Sequence, residues 1–190
     1  MKKAREMSDV AGLGELARRY FAINAFDAVL TALGIIVASF LIGADRVIVV
    51  AACIGAAIAG TVSGFYGSYL TEQAERTGKI KKLERKVGIS LKRTPITKAH
   101  RFATLMLALI DGLTALFITL AIIIPFFLSI ALSAAYYSSF AVCAVLLFFV
   151  GLFLGKISKE NLFRAGLKML LAGLVCAAII LAVEKLRAGI

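Results

Sequence analysis

Residues 103–128 read ATLMLALIDGLTALFITLAIIIPFFL, and this stretch decides the fold. It carries one charge, Asp111, in 26 residues. A helix needs about 20 mostly apolar residues to cross the hydrocarbon of a bilayer, and this run is long enough. Four further runs are of the same kind, near 21–43, 47–70, 133–155 and 165–184. The expectation is an all-α, polytopic membrane bundle of five spans forming a single transmembrane domain over 1–190. Composition agrees. Hydrophobic residues make up 61% of the 190, and a chain this short cannot hide so much apolar surface in a water-soluble core. The first run begins only after twenty residues and is too long for the core of a cleaved signal peptide. Residues 1–20, with Val10, Leu13 and Leu16 at helical spacing, suit either an amphipathic helix on the membrane surface or a tail leading into the first span.

The charge pattern gives an orientation. The net charge is +11, but the cations cluster at the ends of apolar runs, which fits a bilayer surface and excludes nucleic acid as the partner. Nineteen of the 22 Lys and Arg residues fall before span one, between spans two and three, or after span four. The other side holds Arg46, Lys185 and Arg187. Basic loops stay in the cytoplasm, so the N-terminus is expected inside and the C-terminus outside, in the cell membrane. Stretch 72–100 is the sizeable soluble piece, into which span two can continue as a helix. Gly43, Ala44, Asp45 and Arg46 form a tight outer hairpin, and Tyr136 and Tyr137 suit the headgroup level of the second outer turn. Pro125 bends or breaks span three near its outer end.

Cys53, Cys143 and Cys176 lie singly in apolar runs, which argues against a disulfide framework or a zinc site and for small buried hydrophobes. The single histidine, His100, sits in a basic loop, so neither a Ser-His-Asp arrangement nor a multi-histidine site is expected. Asp111-Gly112 matches the start of the CDP-alcohol phosphotransferase signature, but that signature needs further acids on the next helix and 133–155 has none. No enzymatic activity and no tightly bound cofactor are expected.

Two intramembrane acids remain. Asp27 and Asp111 each lie a few residues inside the basic boundary of a span, and each is followed shortly by Thr-Ala-Leu, a weak internal echo between spans one and three. Carboxylates inside a membrane are costly and normally face the bundle interior or a wet cavity. Two at matching depth on parallel helices can share a cation or a proton; the structural alternative is interhelical hydrogen bonding. Asn24, Asp27, Thr31 and Gly34 recur every three or four residues and share one helix face. Gly60, Ser63 and Gly67 form a small-residue stripe on span two, and Gly60 with Gly64 makes a GxxxG pair suited to close packing. Glu72 and Glu75, three apart at the basic end of span two, suit a hard divalent cation or a solvated helix end. Met106 and Met169 are soft donors better read as gap fillers.

These stretches resemble the vacuolar iron transporter family of divalent-metal/proton exchangers. NAFDAVLTALGIIV (24–37) is similar to the family's first helix, with Asp27 at its acid. GAAIAGTVSGFYGSYLTEQAE (55–75) resembles the small-residue second helix, and ENLFRAGLKMLLAGLVCAAII (160–180) the last span. The resemblance implies a homodimer whose first spans line a central pathway, with iron or manganese as substrate exchanged for protons. In that reading Asp27 is a transport ligand, and Asn24 and Thr31 line the path. Where the family has Ser-Met and then Gly-Glu-Tyr, this chain has Ser63-Gly64 and Gly67-Ser68-Tyr69, and the acidic cytoplasmic metal-binding helices are replaced by a short basic segment. The expected ion-binding set is Asp27, Asp111, Asn24, Thr31 and Ser63, with Glu72 and Glu75 as further metal ligands. The competing expectation is a membrane scaffold or subunit that keeps the transporter-like fold without transport.

Overall fold

A computed structural model describes residues 13–88, 90, 94–128 and 131–188. The described residues form helices α1 (Leu13–Leu41), α2 (Arg46–Val87), α3 (Pro95–Phe127), α4 (Leu132–Ser158) and α5 (Leu162–Ala188), with no strand among them. Each is long and apolar enough to cross a membrane. The all-α five-helix expectation holds for the described residues. Most of the expected surface segment 1–20 lies outside them; from Leu13 the chain is already part of α1.

Local chemistry sets the helix ends. Gly43 takes a positive φ of 66° in the α1–α2 turn, and Asp45 then caps α2 by accepting from the Ile48 N–H at 2.9 Å. α2 is one unbroken helix of 42 residues, so most of the stretch read as a soluble loop is helical. It stops at Gly88, whose left-handed conformation (φ 74°) lets its N–H reach the Glu84 carbonyl, the usual glycine stop. Pro95 opens α3, where its missing N–H costs nothing. Pro125 sits two residues before the end of α3 without breaking it; just beyond, Arg46 Nη1 donates to the helix-end carbonyls of Phe126 (3.1 Å) and Leu128 (2.5 Å). Asn161 Oδ1 accepts from the N–H groups of Phe163 and Arg164 and starts α5.

α1 packs against each of the other helices, α2 pairs mainly with α3, and α4 with α5. Small residues permit the two close pairings. A Cβ on Gly112 would stand 2.8 Å from the Thr61 carbonyl oxygen, and one on Gly151 2.5 Å from the Gly166 Cα. Without a hydrophobic force between helices in lipid, such backbone approach supplies the packing energy. The buried core lies toward the α1–α2 turn, around Ile36, Val49, Cys53, Ile122, Phe126 and Cys143. The cysteines are free, and Cys53 and Cys143 are buried among apolar side chains. Tyr136, expected at the headgroups, is instead buried: its hydroxyl donates to the Ala44 carbonyl at 2.8 Å, and its ring meets Phe126 and Phe40 edge-on. Tyr137 is exposed. At the opposite, basic end Phe21 of α1 meets Phe153 of α4 with ring centroids 5.4 Å apart.

Candidate functional site

The intramembrane polar residues gather where α1, α2 and α3 meet. Asn24, half-buried on α1, donates from Nδ2 to both the carbonyl oxygen and Oδ1 of Asp111, at 2.6 and 2.9 Å. This bond is possible because Gly64 of α2 has no side chain: a Cβ there would lie 2.8 Å from the same Asn24 nitrogen. Gly60 approaches Ala115 and Gly64 approaches Gly112, so the GxxxG pair forms the α2–α3 crossing beside Asp111. Ser68 of α2 donates to the Gly64 carbonyl and also faces the Asp111 carboxylate.

One turn along α1, Asp27 is exposed at the surface of the single chain, and so is Thr31. Asp27 is within electrostatic reach of Asp111. The structure therefore brings together Asn24 and Asp111, sets Asp27 beside them, and turns the Asp27–Thr31 edge outward. Ser63 is exposed on α2.

Glu72 and Glu75 do not share a face. Glu72 is buried and committed: Tyr20 Oη donates to its Oε1 at 3.1 Å and Arg76 Nε to its Oε2 at 2.9 Å. Glu75 is exposed, with Lys79 Nζ 3.9 Å away. The angle of about 300° between positions three apart leaves room for one to turn inward and the other out. Arg76 is buried too, and its Nη1 lies 2.9 Å from His100 Nδ1. A guanidinium can only donate, so Nδ1 accepts and the imidazole is neutral, with its proton on Nε2. Tyr20, Glu72, Arg76 and His100 thus form a partly buried chain of polar contacts that ties α1, α2 and α3 together beneath Asp111. Reading His100 as a loop residue missed this chain. The signal was present in Glu72 and Arg76, an i, i+4 pair of the favourable polarity.

Among the described residues no three His, Cys, Asp or Glu side chains converge to hold a metal ion. One chain supplies two carboxylates and their amide and hydroxyl neighbours, enough to bind a proton or part of a cation's oxygen shell. Met169 packs on the apolar core, as expected of a gap filler.

The bundle and its intramembrane acids define a multi-pass α-helical membrane protein with a polar seam on its first helix. No family model matches the chain. It is 34% identical over 176 residues to the uncharacterized protein MJ0645 of Methanocaldococcus jannaschii, a match covering 90% of this chain and 91% of that protein. The chain belongs to the same family as that archaeal protein.

Proposed function

We propose that this protein carries divalent metal cations of the iron or manganese class across the cell membrane in exchange for protons, acting as a homodimer. The observation that carries the reading is Asp27, an exposed carboxylate within the apolar stretch of α1, with Asp111 behind it. A carboxylate facing lipid costs up to roughly 2.5–3.5 kcal/mol near mid-membrane. Covering the Asp27–Thr31 edge with a second copy removes that cost. A two-fold interface places the same patch on both subunits, so two copies each of Asn24, Asp27 and Thr31 would face a shared path. That oxygen-rich set suits a hard cation. Protonation of the acids releases the ion, and the ion displaces the proton. The basic end faces the cytoplasm by the positive-inside rule, and the ion is substrate rather than cofactor. The resemblance of 24–37 and 55–75 to the vacuolar iron transporters supports the same reading.

The test is metal flux and lumenal pH in proteoliposomes, wild type against Asp27→Asn, with iron, manganese, cobalt and zinc. Loss of flux in a variant that still folds is the expected result. Undiminished flux sinks the mechanism.

The Asn24–Asp111 bond favours a second reading, a scaffold in which these groups act as interhelical glue. On that reading wild type moves no ion at all, and Asn24→Ala and Asp111→Ala change stability alone.

A further inference from the structure

Between α2 and the first turns of α3 lies a cavity of about 610 Å³, the size of a small-molecule site. It runs lengthwise between two antiparallel helices. Tyr69 and Leu105 lie at its apolar end and Glu84 toward the other; positions 69 and 84 are about 22 Å apart along α2. Its walls carry Arg76 and Lys81 from α2 and Arg101 from α3 against the carboxylate of Glu84. With Glu72 paired to Arg76 behind the wall, the site keeps an excess of one positive charge, and its two cations without a buried partner are Lys81 and Arg101.

The geometry points to a binding site for the phosphate-bearing headgroup of an anionic membrane lipid. Arg76 is the fixed element. It is 5% exposed, and its guanidinium is oriented by Glu72 on Nε and His100 on Nη1. Donors held in place before binding lose little freedom on capture, and a guanidinium matches phosphate oxygens in plane. Lys81 and Arg101 are exposed cations at the rim, free to close on the headgroup from two helices. The lipid source follows from the apolar end of the cavity, where Leu105, 42% exposed, lines the wall beside Tyr69 and offers contact for an acyl chain. Basic pockets between helix ends at a membrane surface capture anionic headgroups in this way. The proposal is independent of metal transport.

The experiment is lipid retention by the full chain in neutral-detergent micelles, read by native mass spectrometry during titration with phosphatidylglycerol or phosphatidylcholine. Inorganic phosphate forms a third arm. Two double variants remove equal charge from exposed positions: Lys81→Ala/Arg101→Ala at the cavity and Lys82→Ala/Arg85→Ala outside it. Wild type should prefer phosphatidylglycerol by on the order of tenfold or more. The cavity variant should lose that preference, the outside variant should keep it, and inorganic phosphate should bind far more weakly than the lipid. Equal loss in both variants would reduce the effect to diffuse surface charge. Equal retention of the two lipids, or retention that survives in the cavity variant, would overturn the site. Inorganic phosphate binding as tightly as phosphatidylglycerol would make it a soluble-anion site and overturn the lipid assignment.

Discussion

Gly151→Ala adds one methyl group at the α4–α5 contact, and the structure gives it nowhere to go. The new Cβ would stand 2.5 Å from the Gly166 Cα, 2.6 Å from the Ala165 carbonyl oxygen and 2.9 Å from the Ala165 carbonyl carbon. All three are backbone atoms, so no rotamer change relieves the clash; the helices must separate by about 0.9 Å to reach ordinary contact. A gap of about 0.5–1 Å forfeits a quarter to a half of each affected dispersion well. Dispersion is a main source of helix association in lipid, so the loss falls on the attraction that holds the pair together. Overpacking typically costs about 1–3 kcal/mol, and the all-backbone contact puts this variant near the top of that range. Gly55→Ala is the matched control. Nothing lies within 4 Å of its added Cβ, so helix propensity should leave it neutral or stabilise it by about 0.5–1 kcal/mol. Reversible unfolding in mixed micelles measures both. If Gly151→Ala lies within about 0.5 kcal/mol of wild type, the close α4–α5 approach is not a source of stability and the reasoning fails.

Three other perturbations probe the polar contacts. Gly64→Ala pushes the Asn24 amide off Asp111 and crowds the Gly112 Cα at 3.3 Å; metal flux should fall, as should that of Asn24→Ala, with a cost of about 1–3 kcal/mol in unfolding from the tightened α2–α3 crossing, and wild-type flux in both variants would separate that bond from transport. Arg76→Ala leaves the buried Glu72 carboxylate without its ion pair and should cost about 3–5 kcal/mol in unfolding, most of it recovered when Glu72→Leu and Arg76→Met are combined; a mild single-variant effect would mean water reaches the pair. Tyr136→Phe removes the donor to the Ala44 carbonyl and should cost about 0.5–1.5 kcal/mol, measured by the same unfolding assay, with no loss indicating that water takes the hydroxyl's place.

The spans were legible because membrane crossing imposes a length and a composition that any 20-residue window displays. Asp27 and Asp111 stood out for the same reason: a charge inside an apolar run has few innocuous explanations. The partners of these acids were harder to see. Nothing in the sequence says that Asn24 bonds Asp111 and leaves Asp27 outside, because the rotation of α1 against α3 is set by where Gly64 and Gly112 let α2 approach. Glu72 was misplaced beside Glu75 because spacing alone treats both as exposed. Its burial depends on Tyr20 arriving from α1 and on Arg76 and His100 closing behind it, contacts that join residues 52 and 24 positions apart. Tyr136 was misjudged on general grounds, since interfacial tyrosines are common; here a backbone carbonyl from another turn receives its hydroxyl.

The unbroken course of α2 has a mechanical consequence. From Gly64, at its crossing with α3, to the cap at Gly88 the helix runs about 36 Å without a break. A tilt of about 5° about that crossing, too small to disturb most packing, would sweep the far end through about 3 Å. The basic tip is therefore a pointer attached to the Asn24–Asp111 contact, and a probe at exposed Leu83 would register, magnified and outside the apolar layer, any rearrangement beside the acids.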